Sequence, residues 1–279
     1  YADQEDYERA EPILQESLEI RRRVLGPDST SFHESLANLA AIYRAKGDFE
    51  RAEPLLVDSV ELCRNVDGET SPAYANRLLE LARLYDATER ATLASEQRAA
   101  ALSAVEQGLA DDNRARMMRR LSAYAATLNQ LADEFFERDK LPETVTARRL
   151  RFEALTELFG KEHWQTIDAR FDLAENEQFA QLTAEQLAEA KQATELLVQA
   201  NEKEEQGYFR EALELVEQAL TIRRRLLGNE HRYTITALER LSTINTELAD
   251  FAAAQAGLEE ALALRSKLLG EQHPDVATD

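Results

Sequence analysis

A single cysteine, Cys63, stands in 279 residues. That excludes an internal disulfide and any zinc site built from several thiolates, and it fits a reducing compartment, so a cytoplasmic location is expected. No apolar run approaches the ~20 residues needed to span a membrane, and the N-terminal residues lack a signal-peptide pattern. Basic residues are in short supply: 33 Lys and Arg against 53 Asp and Glu leave a formal charge of -20. A surface of that sign repels phosphate backbones and anionic lipid, which argues against nucleic acid and membrane as partners. Aromatics make up 7% of the chain and hydrophobic residues 44%. The abundant residues are Ala, Leu, Glu, Arg and Gln, which favour helix over strand, so the class is all-α.

The chain also repeats itself. DYERAEPIL from Asp6 to Leu14 returns as DFERAEPLL from Asp48 to Leu56. With the Ala of ERA as a marker, Ala10, Ala52 and Ala94 lie 42 apart, as do Ala212 and Ala254, and Thr144 holds the same place between them. Sixteen residues after the marker come Gly26, Gly68, Gly160, Gly228 and Gly270; five before it come Gly47 and Gly207. Eight after it the residue is always apolar: Leu18, Val60, Leu102, Phe152, Leu220 and Leu262. Each period reads as two helices. Phe32, Leu36, Leu39, Ala40 and Tyr43 recur at helical spacing from Ser31 to Ala45, and Lys46-Gly47-Asp48 supplies a stop, a left-handed turn residue and an N-cap. A second helix follows from Phe49 to about Val66, with a bend expected at Pro54, as at Pro12 in the equivalent helix. Neither helix buries its apolar stripe alone, whereas stacked copies of the pair do.

Such an array resembles the tetratricopeptide repeat family, whose pattern of small and aromatic residues is matched by Leu39-Ala40-x-x-Tyr43 and Ala52-x-x-x-Leu56. The family period is about 34 residues. The eight extra residues here lengthen the second helix through IRRRVLG, Ile20 to Gly26, and IRRRLLG, Ile222 to Gly228. That form is similar to the kinesin-light-chain-like subclass, including bacterial multi-domain relatives that carry LGxxHPD between units. Here the signature stands at Leu269-Gly270-Glu271-Gln272-His273-Pro274-Asp275 and partly at Leu227 to His231. The resemblance implies a right-handed α-α superhelix, one tetratricopeptide solenoid over 1–279 with an irregular middle. Regular repeats are expected over 1–106 and 207–279, and irregular ones with an inserted helix over 107–206. Ala94 to Thr144 exceeds the period by eight residues, around Gln107 to Arg116, and Thr144 to Ala212 exceeds it by 26. Thr183 and Gln186 form a potential capping box that would separate a helix over 164–179 from one over 183–206. The chain opens at Tyr1, aligned with Tyr43, and closes at Asp279 where another first helix would begin. It therefore reads as a segment of a longer protein, with self-association through uncovered ends such as Leu258, Leu262 and Leu269.

No constellation for catalysis is visible, and neither metal nor cofactor is expected. His163, His231 and His273 each follow a register glycine by three residues, which assigns them to the turns between units. His33 reads as a solvated residue on a helix, Cys63 as a small packing residue, Trp164 as packing between units, and the arginine runs Arg21 to Arg23 and Arg223 to Arg225 as solvated faces or as partners of neighbouring carboxylates. The family resemblance instead points to a scaffold that holds a peptide or protein in a groove lined by first helices. Relative to the small residues Ala40, Ala82, Ala132, Ala174 and Ala200, groove positions fall two before, at Asn38, Glu80, Gln130 and Asp172, and one after, at Ala41, Arg83, Asp133, Glu175 and Asn201. The acids Glu80, Asp133, Asp172 and Glu175 against Arg83 predict a negative groove suited to a basic or amphipathic peptide. The same resemblance leaves open a regulatory segment of a larger enzyme, such as a serine/threonine kinase or a CHAT-type peptidase.

Overall fold

The computed structural model describes residues 7–110, 114–269 and 276. The chain divides into two compact units, residues 1–160 and 161–279. The first contains α1 (Tyr7–Leu25), α2 (Thr30–Ala45), α3 (Phe49–Asp67), α4 (Pro72–Ala87), α5 (Ala91–Leu109), α6 (Arg114–Phe136) and α7 (Leu141–Phe159). The second contains α8 (Trp164–Ala180), α9 (Ala184–Glu205), α10 (Phe209–Leu227), α11 (Arg232–Glu247) and α12 (Phe251–Leu269). The class is all-α, as the composition implied, and no helix among the described residues is long and apolar enough to cross a membrane.

The two-helix period is present as read. Between α2 and α3 the chain turns on Gly47 at φ 74°, and Asp48 then caps α3 by accepting from the Arg51 amide at 3.2 Å. α3 continues through Pro54. The proline has no N–H to offer the Glu50 carbonyl, so one helical bond is absent there. Packing follows the marker register: Ala40, Ala52, Ala82 and Ala94 are fully buried, and their small side chains let Leu39, Tyr43, Leu56, Leu81 and Tyr85 close around them. Removing one such Leu side chain from water contributes about 1.5–3 kcal/mol. In the second unit Ala200, Ala212, Val216 and Ile244 repeat the arrangement.

The irregular middle has two separate origins. α6 runs for 23 residues where α2 and α4 run for 16, which takes up most of the eight-residue excess. The larger excess supplies an additional helix. α8 ends at Ala180, and Thr183 opens α9 with the expected capping box: its Oγ1 accepts from the Gln186 amide at 3.2 Å while Gln186 Oε1 accepts from the Thr183 amide at 3.0 Å. The register fails inside α8. Ala174 is exposed, and the helix buries Thr166, Ala169, Asn176 and Phe179 instead. In α11 the small inward residue is Ser242, and a Cβ on Gly257 of α12 would sit 2.2 Å from its Oγ, so a side chain there would displace the Ser242 hydroxyl from its bond to the Leu238 carbonyl. Leu258 and Leu262 of α12 are exposed, lining a shallow groove with Glu239, Thr243 and Arg265.

Candidate functional site

The residues of the first unit expected to line a groove lie on three successive first helices: Asn38 on α2, Glu80 and Arg83 on α4, Gln130 and Asp133 on α6. Asn38, Gln130 and Asp133 are exposed, whereas Glu80 and Arg83 are half-buried. Arg83 draws two helices together, donating from Nε to Glu134 Oε1 at 2.8 Å and from Nη2 to Gln130 Oε1 at 3.3 Å. Glu80 accepts from Arg77 Nη1 at 3.1 Å. Asp133 accepts from Arg148 Nη2 at 2.5 Å and from Asn129 Nδ2 at 3.2 Å. In the second unit Asn201 is exposed on α9. Asp172 and Glu175 of α8 both turn to Arg232: Asp172 Oδ1 accepts from its Nη1 at 3.0 Å, and Glu175 Oε1 from its backbone amide at 3.2 Å. The four acids are thus not uncompensated, as the groove count alone implied. Arg77, Arg148 and Arg232 reach them from outside the positions counted.

A buried ionic cluster lies beneath the α4–α6 face. Four residues after the marker the register holds Leu14, Leu56, Val216 and Leu258, but Arg98 and Arg148 in the middle repeats. Arg98 is 1% exposed. Its Nε donates to Glu134 Oε2 at 2.6 Å, and the far side of its guanidinium bonds Asp86, which also accepts from Arg138 Nη2 at 2.6 Å. Arg138 Nη1 closes the cluster on the Glu134 carbonyl at 2.7 Å. Burial pushes the Asp86 carboxyl up, but the bonds and charges of Arg98 and Arg138 outweigh it and hold the group below the ordinary carboxylate range. Arg148 is served likewise by Asn129 Oδ1 at 2.6 Å and by Asp133. The sequence signal for this cluster was an arginine in a slot that is apolar elsewhere.

The histidines separate into two kinds. His163 and His231 cap α8 and α11, their Nδ1 atoms accepting from the amides of Gln165 at 3.3 Å and Tyr233 at 3.2 Å, which matches their expected place in the turns. His273 lies outside the described residues. Burial, reinforced by the charges of Arg223 and Arg232, lowers the His231 imidazole to about 4, so it is neutral at pH 7. His33 departs from expectation: it is fully buried because the C-terminal end of α3 covers it. Its Nε2 lies 2.9 Å from Asp67 Oδ2, and the buried Cys63 thiol donates to the same oxygen at 3.3 Å. Burial and that bond push the Cys63 thiol up to about 12, which removes it as a nucleophile.

Two further expectations are corrected. Trp164 is exposed, stacked at 5.8 Å on His163. The first arginine of each run is not solvated but reaches a neighbouring first helix, Arg21 through the Ser31 carbonyl at 3.0 Å and Arg223 through the Tyr233 carbonyl at 2.7 Å.

A family model described as tetratricopeptide repeat matches residues 32–107 and 200–267, and a second of the same description matches residues 1–31. Among solved structures, BtubC (BKLC) from P. vanneervenii is similar at 19% identity and TM-score 0.46, over 96% of this chain and 94% of that one. A Podosopora anserina putative kinesin light chain with nearly identical TPR-like repeats is similar at 20% identity and TM-score 0.38, over 84% of this chain and 95% of that one. No curated protein matches the chain.

Proposed function

Because the chain belongs to the tetratricopeptide repeat family, whose members generally mediate protein–protein interactions, we propose that it is a non-catalytic scaffold holding a segment of a partner protein against its first helices. The observation that carries this reading is the row of polar side chains on α2, α4 and α6. Asn38 and Gln130 present exposed amides two residues before the fully buried Ala40 and Ala132, with Glu80 at the same place before Ala82. Amides at such positions bond an extended or helical main chain, and the side-chain pair Glu80–Arg77 offers charges that a partner can exchange. The preferred segment is basic or amphipathic. With the local acids paired, this preference derives from the chain's formal charge of -20, which attracts a basic partner at a distance and gives salt-sensitive association.

Fluorescence anisotropy with basic amphipathic, neutral and acidic peptides of equal length tests the proposal. The basic peptide should bind tightest and weaken as salt is added. Asn38→Ala combined with Glu80→Ala should cost roughly 1–3 kcal/mol per lost charge-assisted bond with the helical circular dichroism unchanged. Unchanged affinity in that variant, or binding strengthened by salt, places the partner elsewhere.

A further inference from the structure

We propose that His33, Cys63 and Asp67 form a binding site for one divalent cation of the Zn2+ class. The site lies within the α2–α3 pair, away from the groove positions. Cys63 and Asp67 are one turn apart on the same face at the end of α3, and His33 meets them from the first turn of α2. One ligand atom from each, an imidazole nitrogen, a sulfur and a carboxylate oxygen, all lie within 4.8 Å of one another. Thiolate, imidazole and carboxylate are the donor set that zinc takes, at bond lengths of about 2.0–2.3 Å. The edges of such a tetrahedron are about 3.3–3.8 Å long. The His33–Asp67 and Cys63–Asp67 separations of 2.9 and 3.3 Å therefore need to open by only a few tenths of an ångström. Asp67 retains 22% side-chain exposure, which gives an ion its entry and a water the fourth position.

Two independent observations support a ligand here. First, the His33 ring is fully buried, yet neither nitrogen makes a hydrogen bond of good geometry. Nδ1 has no hydrogen-bond partner and Nε2 faces only the Asp67 carboxylate at 2.9 Å, off hydrogen-bond geometry, so the buried ring carries a desolvation cost that a bound cation would offset. Second, the repeats provide an internal control. The His33 position holds Ala75, Ala125, Ala193 and Ile235 in the other first helices. The Asp67 position holds Leu25, Leu109, Phe159, Leu227 and Leu269, and the Cys63 position holds Val105, Leu155 or an arginine. Three register positions carry metal-ligating side chains in the same repeat and in no other. The stacking does not require them, since the other repeats stack without them. Metal entry replaces the thiol proton, which leaves to solvent, and binding is accordingly tighter at higher pH.

The experiment uses the full chain, stripped with chelator under reducing conditions and titrated with Co2+. One equivalent should develop the thiolate-to-cobalt charge-transfer band, and Zn2+ should bleach it. His33→Ala and Asp67→Leu install residues that the other repeats already carry, so both variants should keep the helical circular dichroism. Each should weaken Co2+ binding by at least about tenfold, as the loss of even an outer-shell partner does. Absence of the band in the native chain overturns the proposal, as does an affinity in either variant within about twofold of native.

Discussion

A repeat in each unit fills the same register position with opposite chemistry. In the second, the slot four residues after the marker holds Val216, fully buried among Ala200, Ala212 and Ile244. In the first, α5 puts Arg98 there, equally buried, and imports Glu134 and Asp86 to neutralise it. First helices also open differently: Ser71 caps α4, whereas His163 and His231 cap α8 and α11. One backbone plan therefore rests in one unit on carboxylates staying ionised and in the other on an imidazole staying neutral. Both dependencies are lost in acid, at different pH. The Asp86 carboxyl sits below its ordinary range, so its contribution is complete above that range and disappears as pH falls through the depressed value. His231 is lowered from 6.5 to about 4, so the unfolded chain takes up a proton that the folded chain refuses. Its contribution is complete above 6.5 and declines as pH drops towards 4.

The largest expected effect comes from breaking the buried cluster. Arg98→Ala leaves Glu134 without its buried partner and should cost about 3–5 kcal/mol in urea denaturation. Replacing Arg98 and Glu134 together by leucine should recover most of that loss, because the apolar repeats show the slot to be compatible with leucine. A cost below about 1 kcal/mol for the single variant would erase the contrast between the units. Next in size, stability should fall by roughly 3 kcal/mol between pH 7 and pH 4 on account of His231 alone. His231→Asn keeps a capping acceptor and should flatten that slope, which urea midpoints at pH 7 and pH 5 would reveal. Thr183→Ala, which deletes half of the capping box, should cost about 1 kcal/mol, read as faster amide exchange at the start of α9. Smallest of all, Glu80→Gln should leave thermal stability within about 0.5 kcal/mol, since the Arg77 pair is partly solvated and within one turn of helix.

Local patterns in the sequence carried the fold. The 42-residue register placed α3 at Phe49, and the Thr183–Gln186 box separated α8 from α9, because turns, caps and apolar stripes are encoded within a few residues. The candidate site was less legible. Arg232 meets Asp172 across 60 residues, and Arg83 meets Gln130 across 47, so neither pairing leaves a trace in local spacing. His33 was misread because its burial depends on α3 folding back over it. Ala174 was misplaced because α8 belongs to the inserted segment, where counting from the marker no longer tracks the inward face. Arg98 and Arg148 could have been found from the register itself, by asking which residues break a column that is otherwise apolar.

The corner between paired helices stores a small backbone strain. Five residues before the marker the backbone is left-handed in every described copy, at Gly47 and Gly207 but also at Glu89, Asp139 and Ala249, with φ between 58° and 79°. A side chain at that angle costs about 1 kcal/mol relative to glycine. The corner is thus held open by the helices on either side rather than by the residue that occupies it. Glycine at Glu89, Asp139 or Ala249 would relieve that cost while leaving the stacking of the helices unchanged.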